Sequence, residues 1–253
     1  MLGRRQFHYG PQRAQVCDLW LPPSAWLGTR GGRRSLPVVV LVHGGFWRSV
    51  YTKVLMRGLA AAVVSRGWAA WNVEYRRVGP GGGGGGWPAT LDDMSAAMAR
   101  LSSVPGVDTA RVATCGHSAG GQLALWAAAQ PGVTVRAAVS LAGVLDLEDA
   151  ATQDMGGGAV QGFLGGTPDE VPERYAQASP LARLPLGVRQ LVVHGSADTT
   201  VPPAMSARYH EAAVAAGDDV RHVELAGVGH HEVTNRRGDA FRAVAQYLED
   251  VFS

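Results

Sequence analysis

A serine flanked by glycines, where a strand-like sequence changes to a helix-like one, constrains the fold of this chain more than any other feature. Residues 116–120 read Gly-His-Ser-Ala-Gly, and the helix-forming residues 122–128 follow them. A tight strand-to-helix turn leaves no room for flanking side chains and exposes the serine hydroxyl. Helix N-termini also favour developing negative charge. We therefore predict Ser118 as a nucleophile, the alternative being a glycine-rich turn with a capping serine.

A nucleophilic serine requires a base and a carboxylate that orients the base, and both residue types follow in the chain. Asp198 comes just after the apolar run 190–194, and His230 follows a glycine after the strand-like segment 220–225. Open α/β sheets bind ligands at such strand ends. We predict Asp198 as the acid, the alternative being a turn-forming aspartate. His230 is favoured as the base over the adjacent His231 because it lies directly at the loop apex.

A third motif lies near the N-terminus. The apolar run 36–42 is typical of a central parallel strand, and it ends in His-Gly-Gly-Phe-Trp, residues 43–47. Glycines there let the backbone approach a substrate oxygen closely. We predict that the N–H groups of Gly45, Phe46 and Ala119 form an oxyanion hole. His43 is expected to brace the loop by hydrogen bonding.

The order of the predicted elements indicates the fold class. Strand and helix patterns alternate, which predicts an α/β fold with a mostly parallel central sheet and helices on both faces. A length of 253 residues suits one such domain, 1–253. Between the strand that ends near residue 142 and the one that starts near residue 190, residues 146–187 lack strand patterns.

The motifs at residues 43–47, 116–121, 194–198 and 229–230 resemble those of the α/β-hydrolase superfamily, in its small esterase and lipase branch. The resemblance covers the chain from about Val38 to the C-terminus. It implies an α/β-hydrolase fold, a Ser–His–Asp triad that needs no metal or other cofactor, and a small cap formed by residues 146–187. The His-Gly-Gly-x-Trp form also resembles the kynurenine formamidase subgroup.

Three functions are compatible with this resemblance. The first is a carboxylesterase that cleaves a small-molecule ester through an acyl-enzyme. The second is an arylformamidase that cleaves N-formylkynurenine or a related amide. The third is a non-catalytic binding protein on a hydrolase scaffold, against which the complete triad argues. A peptidase of the prolyl oligopeptidase type is less expected, because the chain has no room for the extra domain that gates those enzymes.

The residues that would select the substrate are less clearly indicated. Trp47 and Trp87 could line an acyl pocket, although Trp47 could equally pack the core beneath the loop. Arg48 could pair with a substrate carboxylate or be a plain surface arginine. The run Gly81–Gly86 predicts a flexible surface loop, and its position in the family suggests a mobile flap at the rim of the site.

Composition argues against several other classes of protein. The net charge is +2 with interspersed acids and bases, so neither nucleic acid nor a membrane surface is expected as a partner. No apolar run reaches membrane-spanning length, and no apolar segment of a signal peptide follows the N-terminal charges. The 2 cysteines are too few for a disulfide framework. We therefore expect a cytoplasmic location, while the sequence does not indicate the oligomeric state.

Overall fold

Short strands build the sheet, and helices separate consecutive strands from the third onward. The computed structural model describes residues 3–23, 35–132 and 134–253. The strands within these ranges are β1 Gly3–His8, β2 Val16–Leu21, β3 Leu36–Val42, β4 Ala69–Val73, β5 Val107–His117, β6 Val135–Leu141, β7 Arg189–Gly195 and β8 Val220–Leu225. In the described part of the chain they form one eight-stranded sheet in the order β1-β2-β4-β3-β5-β6-β7-β8.

Most of this sheet is parallel. Strands β3 to β8 run parallel to one another, whereas β2 is antiparallel to both β1 and β4. Phe7 pairs with Cys17 in the N-terminal hairpin. Strand β3 occupies the predicted positions. Its residues from Pro37 onward are apolar and buried, as expected for a strand whose two faces are both covered.

Helices cover both faces of the sheet. They are α1 Arg57–Ser65, α2 Ala89–Arg100, α3 Ala119–Ala128, α4 Leu147–Thr152, α5 Ala159–Leu164, α6 Pro172–Ala178, α7 Pro203–Ala215 and α8 Asp239–Phe252. Val38 and Val40 of β3 share a core cluster with residues of α2 and α3, whereas Val39 and Leu41 share one with α1 and α8. This alternation follows from the two-residue period of a strand. It confirms the predicted α/β-hydrolase fold class.

The segment between β6 and β7 contains no strand among its described residues. It forms the short helices α4, α5 and α6, in agreement with the lack of strand patterns over 146–187. Phe163 and Tyr175 from this segment are fully buried in the core cluster that contains α2 and α3. The segment therefore packs against the body of the protein through large apolar side chains. That it acts as a cap over the active site stays a prediction.

The glycine run, predicted as a flexible surface loop, folds back on the chain that precedes it and forms hydrogen bonds with it. The Arg77 N–H donates to the Gly82 carbonyl (2.7 Å), and the Gly85 N–H donates to the Arg77 carbonyl (3.0 Å). After the run, the Trp87 N–H donates to the carbonyl of Phe163 in α5 (2.7 Å). The run is therefore a hydrogen-bonded turn beside residues 146–187, which are called the cap segment below. That the glycine run gates the site stays a prediction.

Two neighbouring glycines of this turn test how closely it packs. A Cβ added to Gly85 would lie 2.2 Å from the carbonyl carbon and oxygen of Arg76, whereas one added to Gly84 would meet nothing within 4 Å. Gly84 has a φ of +74°, so Gly84→Ala should cost roughly 1–2 kcal/mol through its left-handed backbone. Gly85→Ala should lower the free energy of unfolding by more, about 3 kcal/mol. Urea unfolding measures both values, and equal losses would show that the turn is loose.

Candidate active site

Ser118 occupies the turn between β5 and α3 in a conformation that few residues other than glycine adopt. Its backbone has φ 56° and ψ −125°. The turn is tightly packed, since a Cβ added to Gly116 would lie 1.9 Å from the Gly120 carbonyl oxygen. A Cβ on Gly120 would lie 2.2 Å from the carbonyl oxygen of Val42. The glycines of the motif are therefore required by close backbone contacts, as the sequence predicted.

The acid and the base predicted from the sequence are in contact. Asp198 follows β7 and His230 follows β8, and the Nδ1 atom of His230 lies 2.7 Å from the Oδ2 atom of Asp198. Both residues are buried, whereas the adjacent His231 is exposed. The geometry thus brings His230 to the carboxylate. Within the described ranges no hydrogen bond joins the Ser118 hydroxyl to the His230 ring.

The Asp198 carboxylate accepts hydrogen bonds from several sides. Besides His230, the Nε2 atom of His194 lies 3.0 Å from Oδ2, and the N–H groups of Thr200 and Val201 donate to Oδ1 at 2.8 and 3.0 Å. Burial by itself raises the pKa of Asp198, but the hydrogen bonds from His194 and His230 outweigh burial and hold it well below its usual range. The carboxylate therefore remains charged beside His230 at neutral pH.

His194 is a member of the site that sequence reasoning missed. Its Nε2 atom also lies 3.0 Å from the Val201 carbonyl, which can only accept, so Nε2 carries a proton. Its Nδ1 atom lies 2.6 Å from the Ser206 hydroxyl and can accept from it. The ring thus bridges β7, the acid and α7. The available signal was its place at the end of a predicted strand, four residues before Asp198.

His117 is a second residue that was missed, although it stands inside the serine motif. Its Nε2 atom lies 2.9 Å from the backbone carbonyl of His230, so this nitrogen is also the protonated one. Burial, followed by repulsion from His230, lowers the pKa of His117 to about 3. The ring is therefore neutral at ordinary pH. It connects the serine turn to the histidine loop.

Two backbone N–H groups, one in the loop after β3 and one at the start of α3, have no hydrogen-bond partner among the described residues. Residues Gly45, Phe46 and Trp47 have φ values of 109°, 51° and 55°, so the loop after β3 turns sharply. Within the described part of the chain, the N–H groups of Phe46 and Ala119 form no hydrogen bond. Ala119 is the first residue of α3, where N–H groups lack partners within the helix. Such groups can stabilise a developing oxyanion.

A buried network braces the loop that carries these donors. The Nε2 atom of His43 lies 2.9 Å from Oε1 of Glu74, and the Tyr75 hydroxyl donates to the His43 carbonyl at 2.8 Å. Glu74 Oε2 also accepts the N–H of Lys53 at 3.0 Å. Burial raises the pKa of Glu74, but its hydrogen bond with His43 and the charges of His43 and Arg77 lower it overall. The structure confirms that His43 braces this loop.

Removing the carboxylate at the centre of this network should destabilise the protein. Glu74→Ala leaves the Nε2 atom of His43 and the backbone N–H of Lys53 without their acceptor. It also removes the negative charge beside Arg77, so we expect a loss of roughly 3 kcal/mol in the free energy of unfolding. The measurement is urea unfolding at neutral pH. Glu173→Ala, at an exposed position, is the matched control and should change stability by less than about 0.5 kcal/mol. Equal effects of the two variants would contradict the bracing role.

Of the two aromatic residues named as pocket candidates, Trp47 lies deeper than Trp87. Trp47 is fully buried, stacks on Phe163 with ring centroids 4.5 Å apart, and donates its Nε1–H to Gln122 Oε1 at 3.1 Å. It therefore packs the core beneath the loop, because the cap segment supplies Phe163 as a stacking partner, and its assignment to the substrate pocket is corrected. Trp87 is half-buried and packs against the same core cluster.

Arg48 is exposed but already has partners. Its guanidinium donates to the carbonyl of Gly156 and, at 2.8 Å, to that of Gly157. Both carbonyls belong to the loop between α4 and α5. Arg48 therefore connects the cap segment to the loop of residues 43–48, which is called the oxyanion loop after its predicted role. A substrate carboxylate would have to compete with these two carbonyls. A carboxylate-binding role for Arg48 stays a prediction.

The arrangement is suited to acyl transfer. It combines a serine at a strand-to-helix turn, a histidine oriented by a charged carboxylate, and unpartnered N–H groups near the serine. Among the residues that the structure describes, no group of three or more His, Cys, Asp or Glu side chains is placed to hold a metal ion. Across the same residues, no helix has the length and apolar character needed to cross a membrane.

Comparison with known proteins gives the family. A model of the prolyl oligopeptidase family matches residues 83–253, more than half of the chain. The chain belongs to the prolyl oligopeptidase family. The matched region contains Ser118, Asp198 and His230, and it begins after the oxyanion loop. Chain length had made peptidase activity of this type the less expected alternative, and membership of the family does not by itself select peptides over esters.

Curated relatives of this chain are named as esterases. Esterase LipC of Mycobacterium tuberculosis (strain ATCC 25618 / H37Rv) is 28% identical over 276 residues. The match covers 98% of this chain but 65% of LipC, so the chain spans slightly less than two thirds of that relative.

Solved structures share the fold at lower sequence identity. A truncated carbohydrate esterase from gut microbiota has a TM-score of 0.80 at 18% identity, and the match covers 97% of this chain and 95% of that one. Propionate-bound esterase 2 of the Planctomycetes species Thermogutta terrifontis has a TM-score of 0.74 at 23% identity, with 98% and 93% covered. These likenesses support the α/β-hydrolase fold.

Proposed function

We propose that this member of the prolyl oligopeptidase family is a serine hydrolase that cleaves carboxylic esters of small molecules. The observation that carries the proposal is the His230–Asp198 hydrogen bond of 2.7 Å, together with a serine held at φ 56° in a strand-to-helix turn. The esterase names of relatives such as LipC support the substrate class. The two free N–H groups of Phe46 and Ala119 support acyl transfer rather than simple binding.

The mechanism follows from these positions. His230 accepts the Ser118 proton on Nε2 as the hydroxyl oxygen attacks the ester carbonyl carbon. Asp198 keeps the proton of His230 on Nδ1 and stabilises the imidazolium that forms. The N–H groups of Phe46 and Ala119, with that of Gly45, bind the oxyanion. His230 then protonates the departing alcohol, and a water activated by the same ring hydrolyses the acyl-enzyme.

Ester, formamide and peptide substrates distinguish the proposal from its alternatives. The panel consists of p-nitrophenyl acetate, butyrate and octanoate, N-formylkynurenine, and a proline-containing peptide p-nitroanilide. We expect kcat/KM for at least one ester to exceed that for the formamide and the anilide by 100-fold or more, on the order of 3 kcal/mol in the transition state. Formamide cleavage above ester cleavage would favour an arylformamidase, and anilide cleavage above both would favour a peptidase. No turnover at all would favour the binding protein.

We further propose that residues 146–187 act as a cap that selects the substrate. Support comes from the contacts of Arg48 with the Gly156 and Gly157 carbonyls, which join this segment to the oxyanion loop. Arg48→Ala tests whether the guanidinium also binds a substrate carboxylate. A rise in KM for acidic esters alone would support that role, whereas unchanged KM values for acidic and neutral esters would exclude it. A cytoplasmic location without nucleic-acid or membrane partners remains our proposal from composition.

A further inference from the structure

The His117 side chain lies where three loops of the proposed active site meet. Its own backbone ends β5, directly before Ser118. A Cβ added to Gly44 of the oxyanion loop would lie 3.2 Å from Nδ1 of His117 and 2.6 Å from its carbonyl oxygen. On the other side, Nε2 donates to the His230 carbonyl at 2.9 Å. The ring therefore packs between the oxyanion loop and the loop of the base.

The hydrogen bond from His117 holds the backbone of His230. Among all residues that the structure describes, the backbone of His230 has no other hydrogen bond. Within the same described residues, its side chain has one hydrogen bond, between Nδ1 and Asp198. The donor from His117 therefore restrains the main chain of His230, while the acid restrains the ring. A ring held at only one of these two points could rotate or shift relative to Ser118.

We propose that His117 is a positioning residue whose Nε2–H fixes the backbone of His230 and so directs the imidazole toward Ser118. This inference rests on the proposed serine hydrolase function. It gives the residue before the nucleophile a role in aligning the base. Misplacement of a reacting group by about 1 Å can cost on the order of 100-fold in rate, so such alignment has a measurable effect.

The surroundings of His117 keep this donor unchanged over the working range of pH. The titratable groups that face it are His230 and His231, with ring centroids 4.7 and 5.9 Å away, and the Asp198 carboxylate. Burial and the two histidines lower the pKa of His117 and favour the neutral ring, while the hydrogen bond to the His230 carbonyl and, more weakly, the Asp198 carboxylate act in the opposite direction. In its neutral form, the proton stays on Nε2 because the His230 carbonyl can only accept. The bond therefore persists at neutral pH.

Substitutions that keep or remove the donor test the inference. Gln places an amide N–H near the position of Nε2, Asn carries the same amide on a side chain one carbon shorter, and Leu has no donor. We expect His117→Leu and His117→Asn to lower kcat for p-nitrophenyl butyrate by about 10- to 100-fold with KM changed less than about threefold. His117→Gln should recover most of kcat. His231→Leu, on the exposed neighbouring ring, is the control and should retain kcat within about twofold.

Active-site titration separates positioning from a general structural role. The p-nitrophenol burst counts competent serines, so kcat per titrated site is independent of how much protein has unfolded. Reduced kcat per site in the Leu and Asn variants, with rescue by Gln, is the expected result. Normal kcat per site with fewer sites, or a Gln variant as poor as Leu, overturns the inference. A wild-type protein with neither burst nor turnover overturns the proposed function instead, and this inference falls with it.

Discussion

Ser118→Ala is expected to reduce kcat for p-nitrophenyl butyrate by on the order of 10⁶-fold while leaving the fold intact. The variant lacks the oxygen that attacks the ester, but it retains the turn at φ 56° and its glycine contacts, because alanine differs from serine only by the hydroxyl. Within the described chain the hydroxyl forms no hydrogen bond whose loss would destabilise the protein. The melting temperature should therefore stay within about 2 °C of wild type.

The control for this prediction is Ser102→Ala. Ser102 is exposed, and its hydroxyl donates to a local carbonyl, that of Ala99 at 2.9 Å. We expect wild-type turnover from this variant. A Ser118→Ala protein that melts normally and retains more than about 1% of wild-type kcat would contradict the assignment of the nucleophile.

Asp198→Asn should produce the second largest effect, a loss of about 10⁴-fold in kcat. The amide keeps the size of the side chain but presents an N–H where the carboxylate accepted, so His230 loses both its orientation and the charge that stabilises its protonated form. Steady-state kinetics on titrated sites measures the loss. Asp169 is an exposed aspartate in the cap segment, and Asp169→Asn is the matched control, which should leave kcat unchanged. A loss below about 100-fold would show that another acid orients the base.

The same substitution changes the pH dependence of stability. The folded protein lowers the pKa of Asp198, so its carboxylate stabilises the fold above the unfolded pKa of about 3.9. That stabilisation is lost as pH falls below this value toward the lower folded pKa. We therefore expect the stability of the wild type relative to Asp198→Asn to be constant near neutrality and to decrease in acid. Urea unfolding at several pH values measures this difference.

Much of the fold was predictable because local sequence and tertiary structure agree. The run 36–42 is apolar at nearly every position, as burial on both faces requires, and its strand bounds match the prediction. The glycines at 116 and 120 signalled a turn too tight for side chains, and their Cβ contacts bear this out. Chain order also indicated the acid and base, since both follow strands whose carboxyl ends meet at one edge of the sheet.

The parts that were missed depend on contacts between distant segments. His117 and the His230 carbonyl are separated by 113 residues, and no local pattern indicates that bond. His194 reads as an ordinary strand residue until the acid loop folds back over it. Trp47 was ambiguous because its burial is decided by Phe163, which the cap segment brings onto its ring. The glycine run suggested flexibility by composition, yet its backbone bonds to Arg77 define a turn.

The most direct test of the central claim is to identify the residue that a fluorophosphonate modifies. The reagent phosphonylates a serine only where a base activates the hydroxyl and N–H donors stabilise the oxyanion. Peptide mass spectrometry after stoichiometric labelling should find the adduct on Ser118, with ester turnover lost in proportion and no labelling of Ser118→Ala. An active ester hydrolase that is not labelled at Ser118, or is labelled at another residue with loss of turnover, would contradict the account.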